Sequence, residues 1–170
     1  MKKLLCSLLC LLVLFLFVGC SDSDNKTATK TDTNTPTAES HSFTYEGTKI
    51  EMGTEANDVL EQLGEPKSYT EEASCAFEGL DKTYFYGSFY VTTYPDGDKE
   101  NFYSAWFADD SITTAEGIYI GSSKADAEKA YGSDAFDGVN SFTILKGKSK
   151  LTVIIEDDFV TDITYDAIVD

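Results

Sequence analysis

The chain contains no arginine and only one histidine, although it is 170 residues long. Its 30 carboxylates outnumber its 13 cations, which gives a formal net charge of −17 at pH 7. Nucleic acids and anionic membrane surfaces both bind through clustered cations, and phosphate recognition favours arginine, so the composition argues against all three. We therefore expect no nucleic-acid partner. The excess acid serves solubility and is compatible with cationic partners or metal ions.

The shortage of histidine and cysteine excludes most nucleophilic and zinc chemistry. His41 falls in a segment predicted to be disordered, so no Ser-His-Asp, Cys-His or histidine-based zinc site is expected in the folded part. Cys6, Cys10 and Cys20 lie in or beside the N-terminal apolar run, which leaves only Cys75 and no intramolecular disulfide. Cys75 is predicted to lie in a strand, buried and inert. We predict a non-enzyme without a catalytic residue or cofactor, with an acidic-residue hydrolase as a remote alternative.

The N-terminus has the layout of an export signal. A basic start, Met1-Lys2-Lys3, precedes the apolar run Leu4–Val18, which is shorter than the roughly 20 residues of a spanning helix. The residues Phe17-Val18-Gly19-Cys20 resemble a bacterial lipoprotein lipobox, in which the cysteine is lipidated and becomes the new N-terminus. The resemblance implies a signal peptide over 1–19 and lipidation of Cys20. It also implies a lipid-anchored location on the extracytoplasmic face of the cell membrane.

A linker separates this anchor from the folded part. Residues 20–42 contain no large apolar side chain after Cys20 and are rich in alternating threonines, so they are predicted to be disordered. The folded domain is predicted to span 43–170, a length typical of one domain.

One segment of the folded part recurs. The pattern Ile50-x-x-Gly53-x4-Asp58-x5-Gly64 returns 68 residues later, and the matched positions are Ile118, Gly121, Asp126 and Gly132. The same offset relates Gly79 to Gly147 and Lys82 to Lys150. A unit of this size rarely buries its own apolar face, so two copies are expected to share one core. We place the repeats at about 48–110 and 116–165.

Local patterns predict one helix and a set of strands in each repeat. Apolar residues spaced for a helix end at Gly64 after a Thr54 cap, and a second helix runs from Ser122 or Ser123 to Gly132. The predicted strands are Phe43–Tyr45, Thr48–Met52, Ser74–Phe77, Thr83–Tyr86, Ser88–Tyr94, Asn101–Ala108, Ala115–Ile120, Ser141–Leu145, Lys150–Ile155 and Phe159–Tyr165. The expected class is α+β: two tandem helix-plus-antiparallel-meander repeats that form one sheet, with the helices packed on one face.

The stretch from Ile50 to Pro66, a strand, glycine and helix followed by Leu-Gly-x-Pro, resembles the repeat of certain small envelope lipoproteins. These form the β-lactamase-inhibitor-like and SmpA/OmlA-like group. The resemblance implies tandem repeats that build a curved sheet with a concave face. Its identities are fold residues, so no inhibitory residue is carried over: Ile50, Gly53, Val59, Leu63, Gly64 and Pro66.

Aromatic residues concentrate on two neighbouring predicted strands. Simple alternation through Thr83–Tyr94 puts tyrosines on one face and Phe85, Phe89 and Val91 on the other, and Trp106 follows on the next strand. Tyrosine and tryptophan are over-used in binding surfaces, so we predict a partner-binding face made of Tyr84, Tyr86, Tyr90, Tyr94 and Trp106. The alternative is that these rings are ordinary cross-strand pairs that stabilise the sheet.

The predicted function is a non-enzymatic module that binds a protein or peptide at the cell envelope, with a passive structural lipoprotein as the alternative. The segment Asp96-Gly97-Asp98-x-Glu100 also allows a calcium interpretation. A hairpin turn explains the same residues, and the third aspartate and distant glutamate of an EF-hand loop are missing. We therefore predict no metal site.

Overall fold

A computed structural model describes residues 39–169 of the chain. The predicted signal peptide, the lipidation site Cys20 and most of the predicted linker lie outside these residues. Within them, no helix is both long and apolar enough to cross a membrane.

The described part is mostly β, with 49% strand and 14% helix, so the predicted α+β class is wrong. The helices are α1, Asn57–Leu63, and α2, Lys124–Tyr131, which is followed by a 3-10 turn at Ser133–Ala135. The strands are β1 Ser42–Tyr45, β2 Thr48–Glu51, β3 Ser68–Ala73, β4 Leu80–Phe85, β5 Phe89–Asp96, β6 Lys99–Phe107, β7 Ser141–Lys146, β8 Ser149–Glu156 and β9 Phe159–Ala167.

Seven strands form one antiparallel sheet in the order β3-β4-β5-β6-β9-β8-β7, and β1 pairs with β2 in a separate hairpin. The meander β4-β5-β6 therefore joins the meander β7-β8-β9 where the last strands of the two, β6 and β9, pair with each other. At this junction Ala105 of β6 lies opposite Tyr165 of β9.

The two meanders are offset differently from the prediction. β5 begins at Phe89 and β8 at Ser149, while β6 begins at Lys99 and β9 at Phe159, so both pairs of strands are 60 residues apart. The predicted 68-residue offset is wrong here, because β3 and the loop after it lengthen the chain between α1 and β4. Lys82 lies in β4, whereas Lys150 lies in β8.

The helices do not form the layer that was predicted over the sheet. α1 has seven residues and no fully buried side chain, and α2 buries only Ala127. The centre of the sheet is covered instead by the β1–β2 hairpin, whose Phe43 ring lies 5.2 Å from the rings of Phe89 and Phe107 and 5.5 Å from that of Tyr165. Helices of two turns are too short to cover seven strands.

The helix ends follow local chemistry. Gly64 and Gly132 end the two helices as predicted, both with positive φ. Ser123 caps α2, because its hydroxyl accepts a hydrogen bond from the Asp126 N–H at 3.1 Å. The predicted Thr54 cap of α1 is wrong: the Thr54 hydroxyl donates to the Glu51 carbonyl at 2.9 Å instead.

The segment Ser74–Phe77 is a loop and not the predicted strand. The Ser74 hydroxyl accepts hydrogen bonds from the N–H groups of Ala76, at 3.3 Å, and Phe77, at 3.1 Å, and these local bonds bend the chain. Cys75 is therefore exposed, and its predicted burial is wrong. Whether its thiol is inert stays a prediction.

The segment 115–120 is likewise not a strand. The Thr114 carbonyl accepts from the Gly117 N–H at 2.9 Å, and the Thr114 N–H donates to Ile118 at 2.8 Å. Gly117 has a φ of 86°, a conformation that glycine adopts without steric cost. The chain therefore folds back in a tight turn at Gly117.

His41 is buried, with only 5% of its surface exposed, so its predicted place in a disordered linker is wrong. Its backbone N–H donates to the Ser149 hydroxyl at 2.6 Å, and its Nε2 lies 3.0 Å from the Ile144 carbonyl. A composition-based prediction of disorder misses such contacts, because the residues that provide them lie more than 100 positions away.

The burial of His41 predicts a pH dependence of stability. Burial lowers the pKa of His41 below its usual value of about 6.5, while Ile144 and Glu116 act to raise it and Lys146 to lower it. The unfolded chain therefore takes up this proton first, and stability is lost as the pH falls below about 6.5. Urea unfolding at pH 7.5, 6.5 and 5.5 should show this loss in the parent and a flatter profile in His41→Leu. Equal profiles would contradict it.

Candidate functional site

The predicted aromatic face is divided by the turn between β4 and β5. The Tyr86 N–H donates to the Phe89 carbonyl at 3.0 Å, so Gly87 and Ser88 form a two-residue hairpin turn. Phe85 then lies opposite Tyr90. Directly opposed residues in an antiparallel pair share a face of the sheet, so the pattern of alternation reverses across this turn.

Tyr84 and Tyr86 consequently lie on the core side, and their predicted role in the partner-binding face conflicts with this position. Tyr86 is 6% exposed and stacks on Phe89 at 5.2 Å, and burial raises its pKa to about 12. Tyr84 lies opposite the buried Val91, and burial raises its pKa as well. The prediction had carried one alternation through Gly87, as if β4 and β5 were a single strand.

Three rings do lie together on the opposite side of the sheet. Phe85 stacks on Tyr90 with ring centroids 4.3 Å apart, and Tyr90 stacks on Trp106 at 4.9 Å with planes only 9° apart. We call Phe85, Tyr90 and Trp106 the aromatic row. The sequence prediction found Tyr90 and Trp106 but missed Phe85. A two-residue loop that begins with glycine is typical of a hairpin, and this signal could have placed it.

The aromatic row occupies a face that is open to solvent. Along β5 and β8 every second residue is buried, and the residues between them are partly exposed. The residues in register with the aromatic row form a line across all seven strands. The line begins at Ser68, passes through the three rings and continues as small polar residues: Thr164, Thr152 and Thr143. This face therefore has an aromatic half and a threonine-rich half.

Tyr94 belongs to a second group of rings. It stacks on Phe77 at 4.6 Å and meets the edge of Tyr103 at 5.9 Å. Thr92 lies opposite Ser104 and Thr93 opposite Phe102, so Tyr103 is the extra residue of a β-bulge and is 42% exposed. Tyr94 is thus near the predicted surface but packs on the Ser74–Gly79 loop.

The carboxylates of the possible calcium loop do not converge. Glu100 accepts from Thr93 at 3.2 Å and pairs with Lys82, while Asp96 accepts from the Asn101 amide at 3.1 Å. In the described range, no group of three or more His, Cys, Asp or Glu side chains is placed to hold a metal ion.

His41 makes structural contacts. Its ring Nε2 is engaged by the Ile144 carbonyl, and the Ser149 hydroxyl donates to the Lys146 carbonyl at 2.8 Å while it accepts from the His41 backbone. The Ser149 hydroxyl is therefore not hydrogen-bonded to the His41 imidazole. The contacts of His41 with Ser149 and Ile144 hold the start of β1 against the β7–β8 hairpin.

Comparison with known proteins yields no relative: no family model, no curated protein and no solved structure matches the chain. The geometry of the aromatic row is consequently the basis for a functional proposal. Stacked, half-exposed aromatic rings on an open sheet suit contact with another polypeptide.

Proposed function

We propose that the protein is an exported, lipid-anchored, non-enzymatic module that binds a protein or peptide through the aromatic row. The observation that carries this proposal is the stacking of Phe85, Tyr90 and Trp106 in register on the half-exposed face. The N-terminal apolar run and the cysteine at its end support the proposed anchor and, with it, a partner at the cell envelope.

The aromatic row has the physical properties of an interaction hot spot. Aromatic side chains offer a large contact area with few rotatable bonds, and mutual stacking already restricts these three rings, so little side-chain entropy is lost on binding. Tyr103 is 42% exposed and lies on the same face beside Tyr94, so it extends the aromatic area. A contacting segment would meet rings first and threonine hydroxyls beyond Trp106.

The same stacking also contributes to stability, since aromatic pairs add about 0.5–1.5 kcal/mol beyond burial. Binding must therefore be measured on variants whose folding has been checked. Tyr119 provides a matched control, because it is as exposed as Tyr103 but lies outside the aromatic row.

Site-specific photo-crosslinking in cells tests the proposal. A photoreactive residue at position 90 or 106 of the intact lipoprotein should capture one protein that the same residue at position 119 does not. Against that purified protein, Tyr90→Ala and Trp106→Ala should each weaken the affinity at least tenfold, whereas Tyr119→Ala should not. Equal capture at all three positions, or unchanged affinity in folded Tyr90→Ala and Trp106→Ala, would refute the proposal.

A further inference from the structure

β3 is an open edge of the seven-stranded sheet. Among residues 39–169 it pairs only with β4, and all six of its residues are exposed. The opposite edge strand, β7, is partly closed, because Phe136 bridges to Phe142 and the Asp137 N–H donates to the Ser141 carbonyl at 2.9 Å. An open edge presents a row of backbone donors and acceptors that another strand can pair with.

The register shows which residues of β3 offer these groups. Just beyond β3, the Ser74 N–H donates to the Gly79 carbonyl at 3.0 Å, and the register along β3 is unbroken. Hydrogen bonding alternates along an antiparallel pair, so Ser68, Thr70 and Glu72 bond to β4. The residues between them turn their N–H and C=O groups to the open side: Tyr69, Glu71 and Ala73.

The side chains of β3 favour a positively charged partner, because two of its six residues are glutamates. The strand reads Ser-Tyr-Thr-Glu-Glu-Ala and contains no lysine, proline or register shift of the kind that often protects an edge; Pro66 and Lys67 lie just before it. Antiparallel pairing with a second copy about Glu71 would set the two Glu71 carboxylates directly opposite each other, and like charges in that position are destabilising. The adjacent Glu72 and the net charge of −17 add to this repulsion.

We propose that β3 binds an extended, basic polypeptide segment as an eighth strand. On one face, cationic side chains of the segment would meet Glu71 and the Tyr69 ring, which is 44% exposed and lies 5.1 Å from Tyr84. Tyr69 donates to Glu71 at 2.6 Å, so carboxylate and ring form one acidic aromatic patch. On the other face, Glu72 takes a cation. This edge is a contact surface separate from the aromatic row.

Peptide binding to the full-length protein in detergent tests the inference. The probe is a labelled, capped eight-residue peptide with two adjacent lysines at its centre, which point to opposite faces of a strand, and with valine and threonine elsewhere. Its binding is followed by fluorescence anisotropy. It should bind at least tenfold more tightly than the same peptide with glutamate in place of lysine. Methylation of its four central amide nitrogens should abolish binding, because strand addition requires backbone N–H donors. Undiminished binding of the methylated peptide would overturn the inference.

Variants of the protein separate edge pairing from general attraction to an acidic protein. Ala73→Pro removes one outward N–H without changing charge and should weaken binding at least fivefold. The double variant Glu71→Lys with Glu72→Lys should prefer the glutamate peptide. Its control, Asp58→Lys with Glu61→Lys, changes the net charge equally on the exposed surface of α1 and should still prefer the lysine peptide.

Circular dichroism and thermal unfolding verify that each variant folds. If Ala73→Pro does not fold, the charge-reversal variants of β3 and α1 test edge pairing. Equal effects of the β3 and α1 reversals would show attraction by net charge alone and would refute edge pairing. Loss of peptide binding in Trp106→Ala, with the β3 variants unaffected, would also refute it while leaving the proposed function intact.

Discussion

Replacement of Phe43 by alanine should lower the free energy of unfolding by about 3–5 kcal/mol, the cost typical of removing a buried phenylalanine ring. Phe43 is 2% exposed and contacts the rings of Phe89, Phe107 and Tyr165. The alanine variant would leave a cavity between the β1–β2 hairpin and the centre of the sheet. Urea unfolding followed by circular dichroism measures the change.

Phe159→Ala is the matched control for this prediction. Phe159 lies in β9 of the seven-stranded sheet and is 54% exposed, so its removal should cost less than about 1 kcal/mol. If the two variants lose equal stability, then the hairpin does not seal the core as the structure indicates.

Replacement of Tyr165 by phenylalanine should raise the free energy of unfolding by about 1–3 kcal/mol, an unusual direction for a core substitution. The Tyr165 hydroxyl is buried and has no hydrogen-bond partner among the described residues. Burial also raises its pKa, so the group stays neutral at physiological pH. Phenylalanine keeps the ring contacts with Phe43 and Phe107 and removes only the unsatisfied oxygen.

Tyr131→Phe provides a control of opposite sign. The Tyr131 hydroxyl donates to the Thr114 hydroxyl at 2.8 Å, so its removal should cost about 0.5–1.5 kcal/mol. Thermal unfolding of the two variants beside the parent gives both changes. A loss of stability in Tyr165→Phe would show that its hydroxyl is satisfied, for example by a buried water.

Features fixed by neighbouring residues could be predicted from the sequence. The first two strands form near their predicted bounds as β1 and β2, Ser123 caps α2, and glycines at 64 and 132 end the helices, as expected. Each depends on a backbone preference or a hydrogen bond within a few residues, so a single sequence carries the signal.

Features that depend on residues distant in the sequence could not be predicted. The apolar residues of α1 predict a buried helix, but Val59, Leu60 and Leu63 are only partly buried against the core. The sequence does not reveal that Phe43, near the start of the domain, takes the central position over the sheet. The predicted balance of helix and strand failed for this reason.

The aromatic row shows a third kind of failure, in which one local decision changes many positions. A bulge and a hairpin turn at Gly87 both interrupt a strand, but only the turn reverses the chain. Because side chains alternate, this one choice moved Tyr84 and Tyr86 to the core side and Phe85 to the open face. The bulge at Tyr103 likewise shifts the alternation of faces along β6.

The anchoring of His41 has a mechanical consequence. Ser40 and His41 directly precede β1, and their backbone N–H groups donate hydrogen bonds to the side chains of Glu51 and Ser149. Tension applied to the chain from the N-terminal side would act on these hydrogen bonds before it acts on β1. Once they rupture, the pull acts on β1 and draws Phe43 away from Tyr165. Release of the β1–β2 hairpin would thus uncover the apolar centre of the sheet, where Phe43 contacts Phe89 and Phe107.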